Sequence, residues 1–336
     1  MKQLSRWIGS RRGGSILCLH AVTTPECPSE TTSAVNLEQL EALVKALSRV
    51  ADIVSIRELV ERQAANSSTR GLAAITFDDA YASIAVAVRE IFRPRSTPIS
   101  TFVISGAAYT GARFWWDRVE DIAPHVSAAW WQELEAIVGM PEQFRIGQPS
   151  DYGPLRPLRQ WILYRYRGEW PSELEDALDK LETETGLASR QRSMTYAEMR
   201  LLAGSDGLVE FGVHTVNHRV LPLLSRDEAV VEIQECYRAL VSELTGVLPI
   251  LAIPFGLFDQ RTADIARDAG MTASLSLAGT PVSDHGRRGG ILPRLSVGGR
   301  ERPWRLQLRV LGVEQRARAW MGRDYSRYPE LPSATT

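Results

Sequence analysis

Short apolar, β-branched-rich runs alternate along the chain with stretches whose apolar positions recur every three or four residues. The runs at 15–22, 52–56, 73–77, 99–105, 209–213, 250–253, 272–277 and 291–297 predict strands. Between them the spacing predicts amphipathic helices. Leu37, Leu40, Leu43, Val44 and Leu47 follow Asn36, a good N-cap. Ser225 with Glu228 forms a capping box for a helix running to Leu244 and ended by Gly246, and a further helix from Asp259 to Ala269 is closed by Gly270. Strand and helix in alternation mean βα units around a parallel sheet, and about eight strand-like runs favour an irregular (β/α) barrel over an open sheet. Residues 106–197 break the rhythm: the pattern there is helical without a convincing strand, so it reads as an insertion between the fourth and fifth strands. The expected layout is a basic N-terminal segment (1–14), the barrel (15–299) and an Arg-rich C-terminal segment (300–336).

Composition narrows the class. A chain of 336 residues, 44% hydrophobic and 24% charged, has ample capacity for a buried core. No apolar run approaches the ~20 residues of a bilayer-spanning helix. A formal charge of −1 gives no footprint for nucleic acid. Cys18, Cys27 and Cys236 are widely spaced and form no C-x-x-C pair, which argues against a zinc knuckle or a disulfide framework. The N-terminus is basic but is not followed by a signal-peptide core, because the apolar stretch 16–22 is short and interrupted by His20. The expected compartment is therefore the reducing cytoplasm.

Three strand ends carry chemistry. Thr76-Phe77-Asp78-Asp79-Ala80 ends an apolar strand in two adjacent carboxylates, where one can face a metal and the other a water; helix N-capping is the plainer reading. Phe211-Gly212-Val213-His214-Thr215-Val216-Asn217-His218 ends another strand in two histidines four residues apart, the spacing of one face of a helical turn, from which both imidazoles reach one cation. Hydrogen-bonded structural histidines are the alternative. Taken together, two His and one carboxylate leave open positions for water and substrate, the pattern of a catalytic metal site, with the second Asp as general base. Ile253-Pro254-Phe255-Gly256 ends a third strand in a tight turn whose backbone N–H groups suit an oxyanion, or which is an ordinary Pro/Gly turn.

Thr76–Ala80, His214–His218 and Ile253–Gly256, in that order, resemble the motifs of the polysaccharide deacetylases (NodB-homology, carbohydrate esterase family 4). Residues 16–22 and Ser100-Thr101-Phe102-Val103-Ile104-Ser105 are also similar, closest to the poly-N-acetylglucosamine deacetylase-like branch. The likeness runs from about 15 to 298. It implies a deformed (β/α)7-8 barrel and a hydrolase of carbon–nitrogen, non-peptide bonds that removes an N-acetyl group from an amino sugar. Asp79, His214 and His218 would hold a divalent metal, expected to be Zn²⁺, with Asp78 the base, the Phe255 backbone at the oxyanion and Pro254 lining the substrate site. His20 would be the general acid, which fits the need to protonate a departing amine; outside the metal pair only His125 and His285 otherwise remain. The third motif of the family has an Arg two residues before its Pro, where this chain has Ala252. Arg294 is the candidate replacement that would orient the base. The family's Trp-containing fourth motif is not recognisable around 275–277.

Six of the nine tryptophans fall in the insertion. Their indole faces suit sugar stacking or build the insertion's own core, and Trp115 and Trp116 are the first candidates for substrate contact. From Arg300 to Arg327 the chain has eight arginines with Trp304, Leu308, Val310, Trp320 and Met321 among them. This predicts either peripheral contact with the inner face of an anionic membrane or a solvated helix. A lipid-linked or other cytoplasmic biosynthetic intermediate is then a natural substrate. Deformylation of a lipid-linked formamido sugar would need nearly the same residues, and a catalytically silent glycan- or partner-binding barrel is the alternative of another class.

Overall fold

A computed structural model of the chain describes residues 13–314 apart from 30, 126, 142–154, 205 and 278–289. The strands are β1 (Ser15–Leu19), β2 (Val22–Thr23), β3 (Val35–Asn36), β4 (Asp52–Ile53), β5 (Leu72–Phe77), β6 (Ile99–Val103), β7 (Val209–Val213), β8 (Leu248–Ala252), β9 (Ala273–Ser276), β10 (Ile291–Pro293) and β11 (Leu295–Ser296). All but β2 and β3 join one parallel sheet in the order β10-β9-β8-β7-β6-β5-β1-β11, with β4 beside the start of β5. Arg294 alone separates β10, which pairs with β9, from β11, which pairs with β1. One extended segment therefore bridges both edges, and the sheet curls into a nearly closed barrel. All eight predicted runs contain strand: 209–213 is as expected, β5 and β8 begin one and two residues earlier, 52–56, 99–105 and 272–277 are shortened, and 15–22 and 291–297 are each divided between two strands. Asn36 caps the helix Leu37–Ser48 by accepting from Gln39 N–H at 2.8 Å, and the Ser225–Glu228 capping box opens the helix Arg226–Glu243.

Alternation along each strand sorts the side chains into two cores. Leu17, Ile75, Phe77, Val103, Phe211 and Leu251 face outward against the helices. Ile16, Ala74, Phe102, Ile250, Leu275 and Leu292 turn inward, joined by Ile56 and Leu59 of the helix Ile56–Ala64. Phe102 fills the interior because β7 offers Gly212 opposite it: a Cβ there would stand 2.5 Å from the phenyl ring. Above Phe102 the same inward parity brings Cys18, Thr76, Asp78, His214, Ala252 and Arg294 together at the C-terminal ends of their strands.

Between β6 and β7 lie the helices Ser105–Ala108, Trp115–Ile122, Ala128–Ile137, Leu155–Arg165 and Ser172–Thr185. They enclose a core of their own, with Trp115, Val119, Leu134, Ile162 and Leu178 at its centre. Buried Arg118 ties two of these helices together through Glu175, Asp179 and Glu182. The next helix, Tyr196–Ala203, packs on the barrel through Tyr196, Met199 and Leu202.

Candidate metal centre and active site

The two aspartates leave β5 in different directions. Asp78 N–H continues the ladder to Leu19 O at 2.9 Å, whereas Asp79 and Ala80 adopt left-handed φ of 64° and 50°. That reversal turns the neighbouring carboxylates apart. Neither caps a helix, since the helix Ile84–Ala87 that follows has Ser83 at its N-cap.

Asp78 is gripped by Arg294. Nη1 donates to Oδ1 at 2.6 Å and Nη2 to Oδ2 at 2.7 Å, a bidentate pair in which Arg294 is wholly buried and Asp78 nearly so. The guanidinium lies 5.8 Å over the Phe102 ring and also donates to Thr76 Oγ1. Ala252 leaves the family's usual position without a cation, and Arg294 delivers one from the other side of the barrel. Burial opposes the charge on Asp78, but the Arg294 cation outweighs it and holds the carboxyl below the usual carboxylate range. Cys18 Sγ–H donates to Asp78 Oδ2 at 3.3 Å, a contact the sequence reading missed.

Asp79 faces the histidines. Its Oδ1 lies 3.3 Å from His214 Nε2 and 3.7 Å from His218 Nε2, and the imidazole centroids are 4.7 Å apart. The expected helical turn does not form. Residues 214–218 are a loop with left-handed φ at Thr215 (67°) and His218 (55°), so the two imidazoles converge through the loop's shape instead of through helical periodicity. His214 Nδ1 donates to Ala252 O at 2.8 Å, because a carbonyl can only accept. The neutral ring then presents a lone pair at Nε2 to the Asp79 oxygen. Burial works against protonation of His214, but Asp78 and Asp79 outweigh it and raise its pKa, whereas burial and the adjacent His214 push His218 down to about 3. Burial likewise opposes the charge on Asp79, and His214 and His218 hold its carboxyl below its usual range.

These residues fit a divalent cation. Among the described residues Asp79 Oδ1 is buried without a hydrogen-bond partner, and two imidazole nitrogens point at it. Separations of 3.3 and 3.7 Å approach the ~3.3 Å edge of a tetrahedron with bonds of ~2 Å. Asp79, His214 and His218 form a buried group of potential ligands, and Cys18, His20 and Asp78 lie together beside it. His20 follows β1 and is half-buried, at the open end of the barrel.

Pro254 and Gly256 are buried, and Phe255 sits at φ 57° in the turn between them, its ring 4.3 Å from that of His218. Of the tryptophan pair only Trp116 reaches the site. Its indole lies 4.9 Å from His218 and 6.4 Å from Phe255, stacks on Phe114 at 4.8 Å, and donates from Nε1 to Tyr81 Oη. Tyr81 in turn donates to buried Asp117 at 2.7 Å, a link that sequence reading did not find. Trp115 corrects the expectation of substrate contact. It is buried in the insertion core, stacked on Trp170 at 4.8 Å, because consecutive helix positions point about 100° apart. His285 and residues 315–336, including Trp320 and Met321, lie outside the described residues.

Residues 185–274 match the family model for polysaccharide deacetylase, a span holding the histidine and Pro254 motifs. No curated protein matches the sequence. Among solved structures, the Streptococcus pyogenes deacetylase PplD in complex with acetate superposes with a TM-score of 0.55 at 16% identity, covering 88% of this chain and 97% of that one. IcaB from Ammonifex degensii gives 0.52 at 17% identity, covering 85% and 92%. A de-N-acetylase from Aggregatibacter actinomycetemcomitans gives 0.51 at 15% identity, covering 86% and 96%.

Proposed function

We infer that this chain is a carbohydrate deacetylase of the polysaccharide deacetylase family, whose model residues 185–274 match, and that it removes the N-acetyl group of an amino sugar by metal-dependent hydrolysis. The observation that carries the reading is the orphaned Asp79 oxygen facing two imidazoles, one with its tautomer set by Ala252. Asp79, His214 and His218 would hold the cation, with zinc favoured by the mixed N/O donor set. A divalent cation bound there polarises the acyl carbonyl and makes a water easier to deprotonate.

The protein's own groups do the proton work. Asp78, held ionised by Arg294, takes the proton of the attacking water; its Oδ2 is 4.0 Å from His214 Nε2 and so lies beside the ligand cluster. Arg294 also fixes the carboxylate plane, so the accepting oxygen keeps one position. His20 protonates the departing amine from the open end of the barrel. The turn at Pro254–Gly256 borders the acyl oxygen through the Phe255 backbone, and Trp116 forms an aromatic wall for the sugar.

Cytoplasmic location with a lipid-linked substrate is part of the same proposal. In support, Trp304 and Leu308 are exposed one turn apart on the helix Pro303–Val310, with Arg300 and Arg302 at its start. The deciding experiment is hydrolysis of N-acetyl and N-formyl sugars, presented free, nucleotide-linked, and lipid-linked in anionic vesicles, with and without chelator. We expect acetyl release that chelation abolishes and zinc restores, greatest on the vesicle-borne substrate. Undiminished turnover by rigorously metal-free enzyme would refute the metal reading. Preference for the formyl sugar would replace the acetyl one, and preference for free sugars would remove the membrane.

A further inference from the structure

The loop 214–218 holds an energetically unfavourable shape, since Thr215 and His218 are both left-handed and neither is glycine. Such a conformation persists only where its surroundings over-determine it. On one side the carbonyls of Thr215 and Val216 accept from Ser105 N–H (3.1 Å) and Gly106 N–H (3.0 Å). A Cβ at Gly106 would stand 2.8 Å from Val216 O, so that approach requires glycine. On the other side is Glu232, from the helix Arg226–Glu243. Its Oε2 accepts from Val216 N–H at 3.0 Å and Asn217 N–H at 2.9 Å, and its Oε1 accepts from Asn217 Nδ2 at 3.0 Å.

Glu232 is out of place by pattern. The helix buries Ala229, Glu232, Ile233, Cys236 and Leu240, so a carboxylate interrupts an apolar stripe and is only 4% exposed. Among the described residues it makes no ion pair; three loop N–H donors compensate its charge. A carboxylate kept in a core at that cost does something an aliphatic side chain cannot.

We propose that Glu232 is a positioning residue for the cation site. It locks 214–218 in the one shape that turns His218 Nε2 toward Asp79 Oδ1 while His214 stays anchored on Ala252. The inference rests on the metal reading above. Glu232 is not itself a ligand, because both its oxygens are engaged by the loop. Its action passes through Asn217 and the backbone to His218, as outer groups around metal ligands commonly act.

The test is zinc titration of the metal-stripped full chain, with cobalt absorption as a probe of ligand geometry. Glu232→Ala should weaken zinc binding by about 10- to 100-fold and alter the cobalt spectrum, while Glu232→Gln, which keeps the shape and one acceptor oxygen, should recover most of both. Wild-type affinity and spectrum in a folded Glu232→Ala protein would overturn the proposal. Where Glu232→Ala fails to fold, Asn217→Ala carries the test, because it removes only the Oε1 contact: a several-fold loss of zinc affinity supports the proposal and unchanged affinity overturns it. Failure of the wild type itself to bind zinc would overturn the metal reading and this inference with it, a result distinct from wild type and variant binding alike.

Discussion

Replacing Arg294 with Met removes the cation from a pair that is entirely buried, yet leaves a flexible apolar chain in its space over Phe102. Among the described residues Asp78 then keeps only the weak Cys18 thiol donor on its side chain. Breaking a buried ion pair from one side costs about 3–5 kcal/mol, because the remaining charge is uncompensated. At ~2–4 °C per kcal/mol for a chain of this order, the melting temperature should fall by roughly 6–20 °C at pH 7. The pH dependence identifies the cause. In the wild type the Asp78 carboxyl is held below its unfolded value, so its contribution is present above about pH 4 and lost on acidification. In Arg294→Met, burial without the cation raises the folded pKa above the unfolded one. The folded variant then takes up a proton first, and its deficit shrinks by up to about 1.4 kcal/mol per pH unit on acidification below that raised pKa. Urea unfolding followed by tryptophan fluorescence, with chelator present at pH 7 and pH 4.5, measures both quantities. The double variant Arg294→Met/Asp78→Asn should regain most of the loss at pH 7. A single-variant deficit below about 1 kcal/mol, or one that is the same at both pH values, would refute the argument.

His20→Ala should retain stoichiometric zinc while turnover falls by about 10²–10⁴, as expected for loss of one general acid; near-wild-type turnover in the zinc-loaded variant would show that the proton comes from elsewhere. Trp116→Ala should raise KM for the sugar, whereas Trp115→Ala should leave KM unchanged while costing about 3–5 kcal/mol from the insertion core; steady-state kinetics beside thermal melts tests both.

Much of the barrel was legible from the sequence because strand and helix periodicities are local. Each apolar run needed only its own residues to declare itself, and Asn36 and Ser225 marked helix starts by side-chain chemistry that acts within three residues. The site's composition was legible for a related reason: in a parallel barrel, polar residues following an apolar strand gather at one end. What only the tertiary structure decided depends on distance across the barrel. Arg294 meets Asp78 over 216 residues because β10 and β11 close the sheet between them, and Glu232 meets the histidine loop because its helix packs back on β7. The wrong expectations have the same origin. A four-residue histidine spacing suits a helical turn as well as a left-handed loop, and two adjacent tryptophans look equivalent until the helix turns one into a core and the other toward the site. Periodicity reports which side of an element is buried; which partner waits there is set by the packing of the whole chain.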